Sequence, residues 1–79
     1  MTMSTIDTPM ALGQTARRAR KQLGLTQPQL AMAAGVGVRF VVELEAGKPT
    51  LRLENILRVL HALGGTLMVN DLPAGNTVL

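Results

Sequence analysis

Apolar residues recur at helical spacing in four stretches of the chain, and glycines separate these stretches. The first stretch covers residues 12–23, the last covers residues 53–63, and residues 26–47 hold two shorter ones. The inward faces of the two long patterns consist of Leu12, Ala16, Ala19 and Leu23 in the first and of Leu53, Ile56, Leu57, Leu60 and Leu63 in the last. Val59 widens the last face, which suggests a contact beyond the chain's own core. Together the patterns predict an all-α body of four helices.

The two shorter patterns meet at a sharp turn. Thr26 offers a side-chain oxygen that can cap the first of these helices, and Pro28 stands in its first turn, where a missing N–H does no harm. Gly35 tolerates the positive φ that ends this helix, and Gly47 ends the next one. Two helices that cross steeply through a short turn need this set of residues, so the stretch predicts a helix-turn-helix. An ordinary αα-corner without a ligand is the alternative.

A second kind of element follows the last helix. Residues 65–71 contain a short apolar and β-branched run that glycines and a proline enclose, and this composition predicts a strand. No other part of the chain has a strand pattern, and a single strand cannot satisfy its own backbone groups. We therefore expect an antiparallel ribbon with the same strand of a second copy, made by Thr66, Leu67, Met68, Val69 and Asn70. The alternative is an irregular tail packed on the last helix.

These elements predict one domain, as the 79 residues of the chain suggest. Residues 1–8 are expected to be a flexible N-terminus, and residues 9–64 a helix-turn-helix DNA-binding domain. Residues 65–71 would be the dimerisation strand and residues 72–79 a short tail. A domain of this size buries a limited part of its surface, so oligomerisation is an expected source of stability.

Charge and composition narrow the function. Eight basic residues oppose five acidic ones, giving a net charge of +3. Seven of the basic residues form two groups: Arg17, Arg18, Arg20 and Lys21 in the first helix, and Arg39, Lys48 and Arg52 in or beside the central motif. Clustered cations suit a phosphate backbone, although a solvated helix face explains the first group equally well.

The sequence lacks the residues that several classes of function require. There is no cysteine, and His61 is the only histidine, so neither a disulfide framework nor a metal site is expected. Phe40 is the only aromatic residue, which argues against stacking on single-stranded nucleic acid. We find no catalytic constellation and expect neither an enzyme nor a cofactor. Without a signal peptide or an apolar run of about 20 residues, the chain is expected to be cytoplasmic and nucleoid-associated, away from membranes.

Double-stranded DNA is the expected partner, with the second helix of the motif in the major groove. Arg39 is the best candidate for a base contact, because a guanidinium can bridge guanine O6 and N7. Val38 and Val42 could pack on thymine methyl groups. Glu43 could accept a hydrogen bond from a cytosine amino group, but a salt bridge with a basic residue of the protein is the favoured interpretation. Phe40 could cover the domain's edge, touch the DNA or meet a partner protein.

Other polar residues are candidates for phosphate contacts. Gln27 opens the helix before the reading helix, where it could bind a phosphate and brace that helix. Lys48 and Arg52 lie near helix ends and in loops, and Arg18 belongs to the basic group of the first helix. Glu45 is interpreted as structural, with a cation of the first helix as its partner.

The central motif resembles the Cro/repressor family of helix-turn-helix proteins, also called XRE-like. The shared pieces are LTQ at residues 25–27, LA at 30–31, AGV at 34–36 and LEAGK at 44–48, so the resemblance covers about half the chain or slightly more. GGTLMVND follows the last helix where most such domains have a fifth one. This ending is similar to that of HipB-type antitoxins, in which a C-terminal strand pairs across the dimer.

The resemblance implies a four-helix, lambda-repressor-like domain with a C-terminal β-strand pairing across a dimer. It also implies a repressor of its own operon and a partner encoded beside it, a HipA-type serine/threonine kinase toxin. The base-reading positions of the family fall on Gly37, Val38, Arg39 and Val42, and its helix-capping phosphate contact falls on Gln27. Many relatives have polar residues at the two valine positions, so specificity is expected to depend on Arg39, methyl contacts and DNA shape.

The leading hypothesis is therefore a dimeric, sequence-specific repressor, the antitoxin of a HipBA-type pair. It would read a palindromic operator with half-sites about 34 Å apart. An alternative is a protein-interaction module that mainly inhibits a partner toxin or enzyme, which the apolar residues Val38, Phe40 and Val42 favour. A stand-alone repressor without a toxin is the third possibility.

Overall fold

The computed structural model describes residues 5–79, and over these residues it has four helices followed by a two-stranded antiparallel sheet. The helices are α1 (Pro9–Gln22), α2 (Gln27–Ala34), α3 (Val38–Glu45) and α4 (Leu53–Ala62), and the strands are β1 (Met68–Leu72) and β2 (Gly75–Val78). The predicted four-helix body with a C-terminal β element is confirmed. No helix among these residues is long and apolar enough to cross a membrane.

The start of α1 differs from the prediction. Thr8 caps this helix, because its Oγ1 accepts a hydrogen bond from the backbone N–H of Ala11 at 3.0 Å, and Pro9 occupies the first turn. The helix therefore begins three residues earlier than the apolar spacing indicated. Thr8 belongs to the folded body rather than to a flexible N-terminus. Residues 1–4 of that predicted segment lie outside the described residues.

The entry to α2 forms as predicted. The Thr26 side chain accepts from the Gln29 N–H at 3.2 Å, and the Gln29 side chain accepts from the Thr26 N–H at 2.8 Å. This reciprocal pair satisfies two backbone donors that a helix start leaves free. Gly35 ends α2 with a φ of 71°, in the left-handed region that favours glycine. Both ends of α2 are thus fixed by local chemistry.

The hydrophobic core lies where α1, α2, α3 and α4 meet. Its fully buried side chains are Ala16, Leu30, Ala31, Val41, Leu44 and Val59. Val59 is 0% exposed, so the expectation that it widens α4 toward another partner is wrong. Ile56 and Leu63 pack beside it, and the buried face of α4 is centred on Val59. Two residues predicted to face inward are exposed. Leu53, at the start of α4, is 53% exposed. Leu23 is 55% exposed and lies just after the end of α1 at Gln22.

A close contact between α1 and α3 was absent from the predicted pattern. Gly13 is buried, and a Cβ atom at this position would lie 2.3 Å from the carbonyl oxygen of Leu44 and 2.9 Å from that of Glu45. Only a hydrogen in place of the side chain allows this approach. Gly13 therefore lets the middle of α1 lie directly against the last turn of α3.

The C-terminal residues form a hairpin. Met68 of β1 pairs with Val78 of β2, and the register shifts between Val69 and Leu72. Asp71 has a φ of 63°, and its N–H donates to the Asn76 side chain at 2.9 Å. The shift and the positive φ let the strands turn back through a short loop.

This hairpin changes the predicted ending of the chain. The expectation that no second strand exists is wrong, because residues 72–79, assigned as a tail, contain β2. One edge of β1 therefore finds its hydrogen-bond partner in the same chain, where a second copy was expected. β1 also starts at Met68, so Thr66 and Leu67 precede it, although the Leu67 carbonyl accepts from the Leu79 N–H at 2.7 Å. The alternative of an irregular tail packed on α4 does not hold either.

Candidate nucleic-acid interface

α3 presents one side to the core and the opposite side to solvent. Val41 and Leu44 are 0% and 2% exposed, whereas Val38 and Val42 are each 43% exposed. The alternation follows from helical spacing, since residues three or four apart share a face. The outer side is accessible along its whole length and has the dimensions of a helix that fits a major groove.

The predicted base-contact residues gather on this outer side. Gly37 is the N-cap of α3, with no side-chain hydrogen bond at the cap, and Arg39 is exposed in the first turn. Val38 and Val42 lie on the same side of the helix, one turn apart. The structure therefore brings four of the five predicted base-contact residues together.

Glu43, the fifth, is engaged within the protein. Its Oε2 accepts from the Lys48 Nζ at 2.7 Å, which confirms the salt-bridge interpretation. This hydrogen bond lowers the pKa of the Glu43 carboxyl below its ordinary value, so the group is ionised at neutral pH. Lys48 thus neutralises a carboxylate beside the outer face of α3. Its ammonium group, predicted to bind a phosphate, is already paired with Glu43 in this structure.

Glu45 holds the inner end of α3 to α1. Arg20 Nε donates to Glu45 Oε2 at 2.7 Å, and Arg20 Nη2 donates to Oε1 at 2.9 Å. The two side chains are only 10% and 4% exposed. The predicted pairing of Glu45 with a cation of the first helix is confirmed. The same contact removes Arg20 from the group of cations available to phosphate, a correction to the sequence interpretation.

Two further bonds extend this pair into a network. Arg20 Nη1 donates to the Leu25 carbonyl at 2.8 Å, and Gln27 Nε2 donates to Glu45 Oε1 at 3.2 Å. The hydrogen bond with Glu45 raises the pKa of the Arg20 guanidinium, which stays charged. The network joins α1, the loop before α2, the first residue of α2 and the end of α3. It fixes how α3 sits relative to the start of α2.

The predicted phosphate contacts occupy separate places. Arg18 lies exposed on α1, Lys48 pairs with Glu43, and Arg52 is the exposed N-cap of α4. Gln27 is half-buried at the start of α2, where Glu45 fixes its amide. The structure does not gather these four side chains at one point.

A shallow concavity of about 340 Å³ lies between α1, the start of α2 and the outer side of α3. It is lined by Arg17, Arg20, Gln27, Val42, Glu45 and Ala46. Arg17, and not Arg18, shares this space with Gln27. The sequence pattern did not single out this position of Arg17, although its spacing of three residues from Arg20 was a usable signal, because residues i and i+3 share a helix face.

The remaining candidates lie away from α3's outer face. Phe40 is half-buried and packs against the hydrophobic core, which agrees with the interpretation that it covers the domain's edge. In the predicted dimer segment, Met68 is 46% exposed, Val69 is half-buried and Asn70 is exposed. Residues 5–79 contain no group of three or more His, Cys, Asp or Glu residues that could hold a metal ion.

Comparison with known proteins assigns this arrangement of helices to a protein family. Residues 17–69 match the helix-turn-helix family HTH_3. The chain belongs to this helix-turn-helix family. The matched residues include the last six residues of α1 and all of α2, α3 and α4, so the family assignment rests on the elements that build the concavity and the outer face of α3.

Curated relatives of this helix-turn-helix protein are transcriptional regulators. It is 51% identical over 59 residues to y4mF of Sinorhizobium fredii, an uncharacterized HTH-type transcriptional regulator, covering 75% of this chain and 78% of that protein. It is 36% identical over 58 residues to an uncharacterized HTH-type transcriptional regulator of Haemophilus influenzae, covering 73% of this chain and 59% of that protein. The helix-turn-helix protein is accordingly a transcriptional regulator.

Solved structures with the same fold include HipB in two assemblies. HipB in a complex with an O4 20mer superposes with a TM-score of 0.80 at 23% identity, covering 87% of this chain and 97% of that one. HipB in a HipA–HipB–O2–O3 complex gives the same values. At this level of identity the likeness establishes a shared fold.

Proposed function

We propose that this helix-turn-helix protein is a dimeric, sequence-specific DNA-binding repressor and the antitoxin of a HipBA-type pair that represses its own operon. The observation that carries the DNA-binding part is the exposed outer side of α3, with Val38, Arg39 and Val42, on a helix whose other end is held by the Arg20–Glu45 pair. HipB, which shares the fold, occurs in a complex with a 20mer and in a complex with HipA.

In this proposal α3 enters the major groove with its first turn leading. Arg39 donates two hydrogen bonds to guanine O6 and N7, and the methyl groups of Val38 and Val42 pack on thymine methyls. Lys48 keeps Glu43 from repelling the nearby phosphates, since the pair carries no net charge. Reading then combines one polar contact with apolar contacts and the shape of the DNA.

The proposed dimer needs a contact surface between two copies of the chain. Leu53 is exposed on α4, and Leu57 and Leu60 are half-buried on the same side, since residues four and seven positions apart share a helix face. One edge of β1 lacks a strand partner among the described residues. We place the dimer contact at this edge and at this apolar side of α4, with Thr66, Leu67, Met68, Val69 and Asn70 as the predicted dimer segment. A two-fold dimer would set the two α3 helices one DNA turn apart, about 34 Å.

Deletion of residues 65–79 tests the dimer. The truncated chain should sediment as a monomer at concentrations where the full chain sediments as a dimer, and its operator affinity should fall steeply. A truncated chain that remains dimeric would exclude the hairpin from the interface.

The DNA-binding function is tested by titrating the full chain with the duplex upstream of its own gene, against a scrambled duplex of equal length, at two salt concentrations. Specific binding predicts a preference of roughly 10³ or more for the upstream duplex at physiological salt. Equal and salt-sensitive binding to both duplexes would reduce the basic surface to a non-specific phosphate contact.

The exposure of Val38 and Val42, each 43%, also favours a second candidate function, in which the chain mainly inhibits a partner toxin or enzyme. The two functions differ in what Arg39→Ala changes. For a repressor with a HipA-type partner, this substitution weakens operator binding and leaves kinase inhibition intact. If inhibition is lost and DNA binding is not, the outer side of α3 is a protein contact.

A further inference from the structure

Glu43 has a basic side chain on each side of it along the chain, Arg39 in α3 and Lys48 just after it. Its Oε2 accepts from Lys48 Nζ at 2.7 Å, and among residues 5–79 no hydrogen bond reaches its second oxygen, Oε1. Arg39 lies one helical turn before Glu43, so the two side chains share a face of the helix. The carboxylate therefore has one oxygen held by Lys48 and one oxygen left for a neighbour on this face.

The charge of Arg39 already acts on this carboxylate. The Lys48 hydrogen bond lowers the pKa of the Glu43 carboxyl most, and the positive charge of Arg39 lowers it further. Arg39 is nevertheless exposed, and no ion pair among residues 5–79 involves its guanidinium. The order of the two residues explains this, because an acid that follows a base by one helical turn pairs less well than an acid that precedes it. Without DNA, Lys48 thus holds the carboxylate and Arg39 keeps its donors for a ligand.

The donors of a guanidinium outnumber the acceptors that one guanine offers. A guanidinium carries five N–H groups, and a contact of Arg39 with guanine O6 and N7 uses two of them. The other N–H groups lose water when α3 enters the groove, and a buried donor without an acceptor costs free energy. Glu45 cannot supply the acceptor, because its carboxylate is already bound to Arg20 and Gln27. Glu43 Oε1 is therefore the carboxylate oxygen of α3 that is available to Arg39.

We propose that Glu43 positions Arg39 for base recognition, with Oε1 accepting an N–H of the guanidinium while Lys48 holds Oε2. This role rests on the proposed DNA-binding function, and it makes Glu43 a positioning residue in place of the predicted base contact. A guanidinium is planar, so a carboxylate that binds one edge fixes the direction in which the other edge meets the guanine. Sequence preference then depends on all three side chains, although only Arg39 among them touches a base.

Glu43→Ala and Glu54→Ala form a matched pair for the test. Each removes one negative charge from a glutamate that accepts from a basic side chain, Lys48 at 2.7 Å for Glu43 and Arg58 at 3.0 Å for Glu54. Glu54 belongs to α4 and not to α3. Each variant of the full chain is titrated with the upstream duplex and with the scrambled duplex at physiological salt. Thermal unfolding of each variant without DNA verifies that the fold is unchanged.

The expected result is that Glu43→Ala changes the two affinities in different directions. Binding to the upstream duplex should weaken roughly tenfold, the order of a coupling between side chains in contact. Binding to the scrambled duplex should stay equal or strengthen, because a negative charge near the phosphates is gone. Glu54→Ala should not weaken binding to the upstream duplex. A Glu43→Ala chain that binds this duplex as wild type does overturns the proposal and leaves the DNA-binding function intact, whereas a wild-type chain that prefers neither duplex overturns both.

The double variant Arg39→Ala with Glu43→Ala separates positioning from direct contact. If Glu43 acts through Arg39, no guanidinium remains to be positioned in the Arg39→Ala background, so Glu43→Ala causes no further loss on the upstream duplex. If the Glu43 carboxylate instead accepts from a cytosine amino group, the two losses add. Additive losses would therefore rule out the positioning role.

Discussion

The two ends of α3 differ in burial and in their contacts, although both are helical. At the C-terminal end, Leu44 is 2% exposed, Glu45 pairs with Arg20, and Gly13 lies against the carbonyl groups. At the N-terminal end, Val38 and Arg39 are exposed. One helix of eight residues is therefore divided between a part that stabilises the fold and a part that is free to bind. A rigid anchor at one end gives the other end a fixed direction.

Two glutamates show the difference within two residues. Glu45 and Glu43 each accept from a basic side chain at 2.7 Å, but the Glu45 side chain is 4% exposed and that of Glu43 is 27% exposed. Their partners differ more strongly, since Arg20 is 10% exposed and Lys48 is 44% exposed. Equal distances do not imply equal energies, because water screens the outer pair and burial makes the inner pair costly to break.

Breaking the inner pair should have the largest effect. Glu45→Ala leaves the Arg20 charge without its partner in a buried place, so the free energy of unfolding should fall by roughly 3 kcal/mol or more. Urea unfolding followed by far-UV circular dichroism at neutral pH measures this. Glu43→Ala is the matched control, and its unfolding midpoint should stay close to that of wild type. Similar losses in the two variants would show that burial does not separate the two ends.

The contact at Gly13 should rank next. Gly13→Ala places a Cβ 2.3 Å from the Leu44 carbonyl oxygen, and backbone atoms cannot swing aside as a side chain can. The two helices must separate, which should cost about 1–3 kcal/mol of unfolding free energy. Gly65→Ala is the control, since its added Cβ would lie 3.5 Å from the Leu60 carbonyl oxygen, an ordinary contact distance. A stable Gly13→Ala variant would contradict the close approach of α1 and α3.

At the N-terminal end of α3, substitutions are expected to change DNA binding rather than stability. Arg39→Ala should weaken operator binding by about 1–3 kcal/mol and relax the sequence preference, while the unfolding midpoint stays near that of wild type. Lys48→Ala serves as comparison, because a phosphate contact should weaken operator and scrambled duplexes about equally. If Arg39→Ala binds operator and scrambled DNA unchanged, another surface reads the DNA.

The smallest effect concerns the pH dependence of the outer pair. The Lys48 ammonium lowers the pKa of Glu43, so the contact is complete above the carboxyl's ordinary value near 4.5 and is lost as pH falls through the lowered value. Wild type and Glu43→Gln should therefore differ slightly in urea midpoint at neutral pH and converge as the pH falls through the lowered pKa of Glu43. A difference that grows on acidification would contradict this sign.

The helical part of the fold could be predicted because its signals are local. Thr26, Gly35 and the apolar spacing specify where α2 and α3 begin and end, and these act within one or two turns. The roles of Arg20 and Val59 could not be assigned in this way. Whether a basic residue is buried, or a valine lies at the centre of a helix face, depends on how the helices cross, which spacing along the sequence does not encode.

The hairpin and the concavity also escaped prediction for a physical reason. The residues of β2, Gly75–Val78, include glycine and asparagine and have weak strand propensity, so pairing with β1 rather than composition determines their conformation. The choice between Arg17 and Arg18 required knowing which side of α1 meets α3. In both cases the deciding contact joins separate elements.

The carboxylate of Glu45 has a consequence for how the protein opens. Because Arg20 and Gln27 both donate to Glu45, α1 cannot detach from α3 without breaking buried hydrogen bonds, and α2 cannot detach from α3 without breaking a part-buried one. We expect the most protected amide hydrogens of these three helices to exchange with solvent together, at a rate set by global unfolding. The hairpin, whose strands are almost entirely exposed, should exchange much faster by opening alone. One shared side chain thus makes three short helices a single cooperative unit.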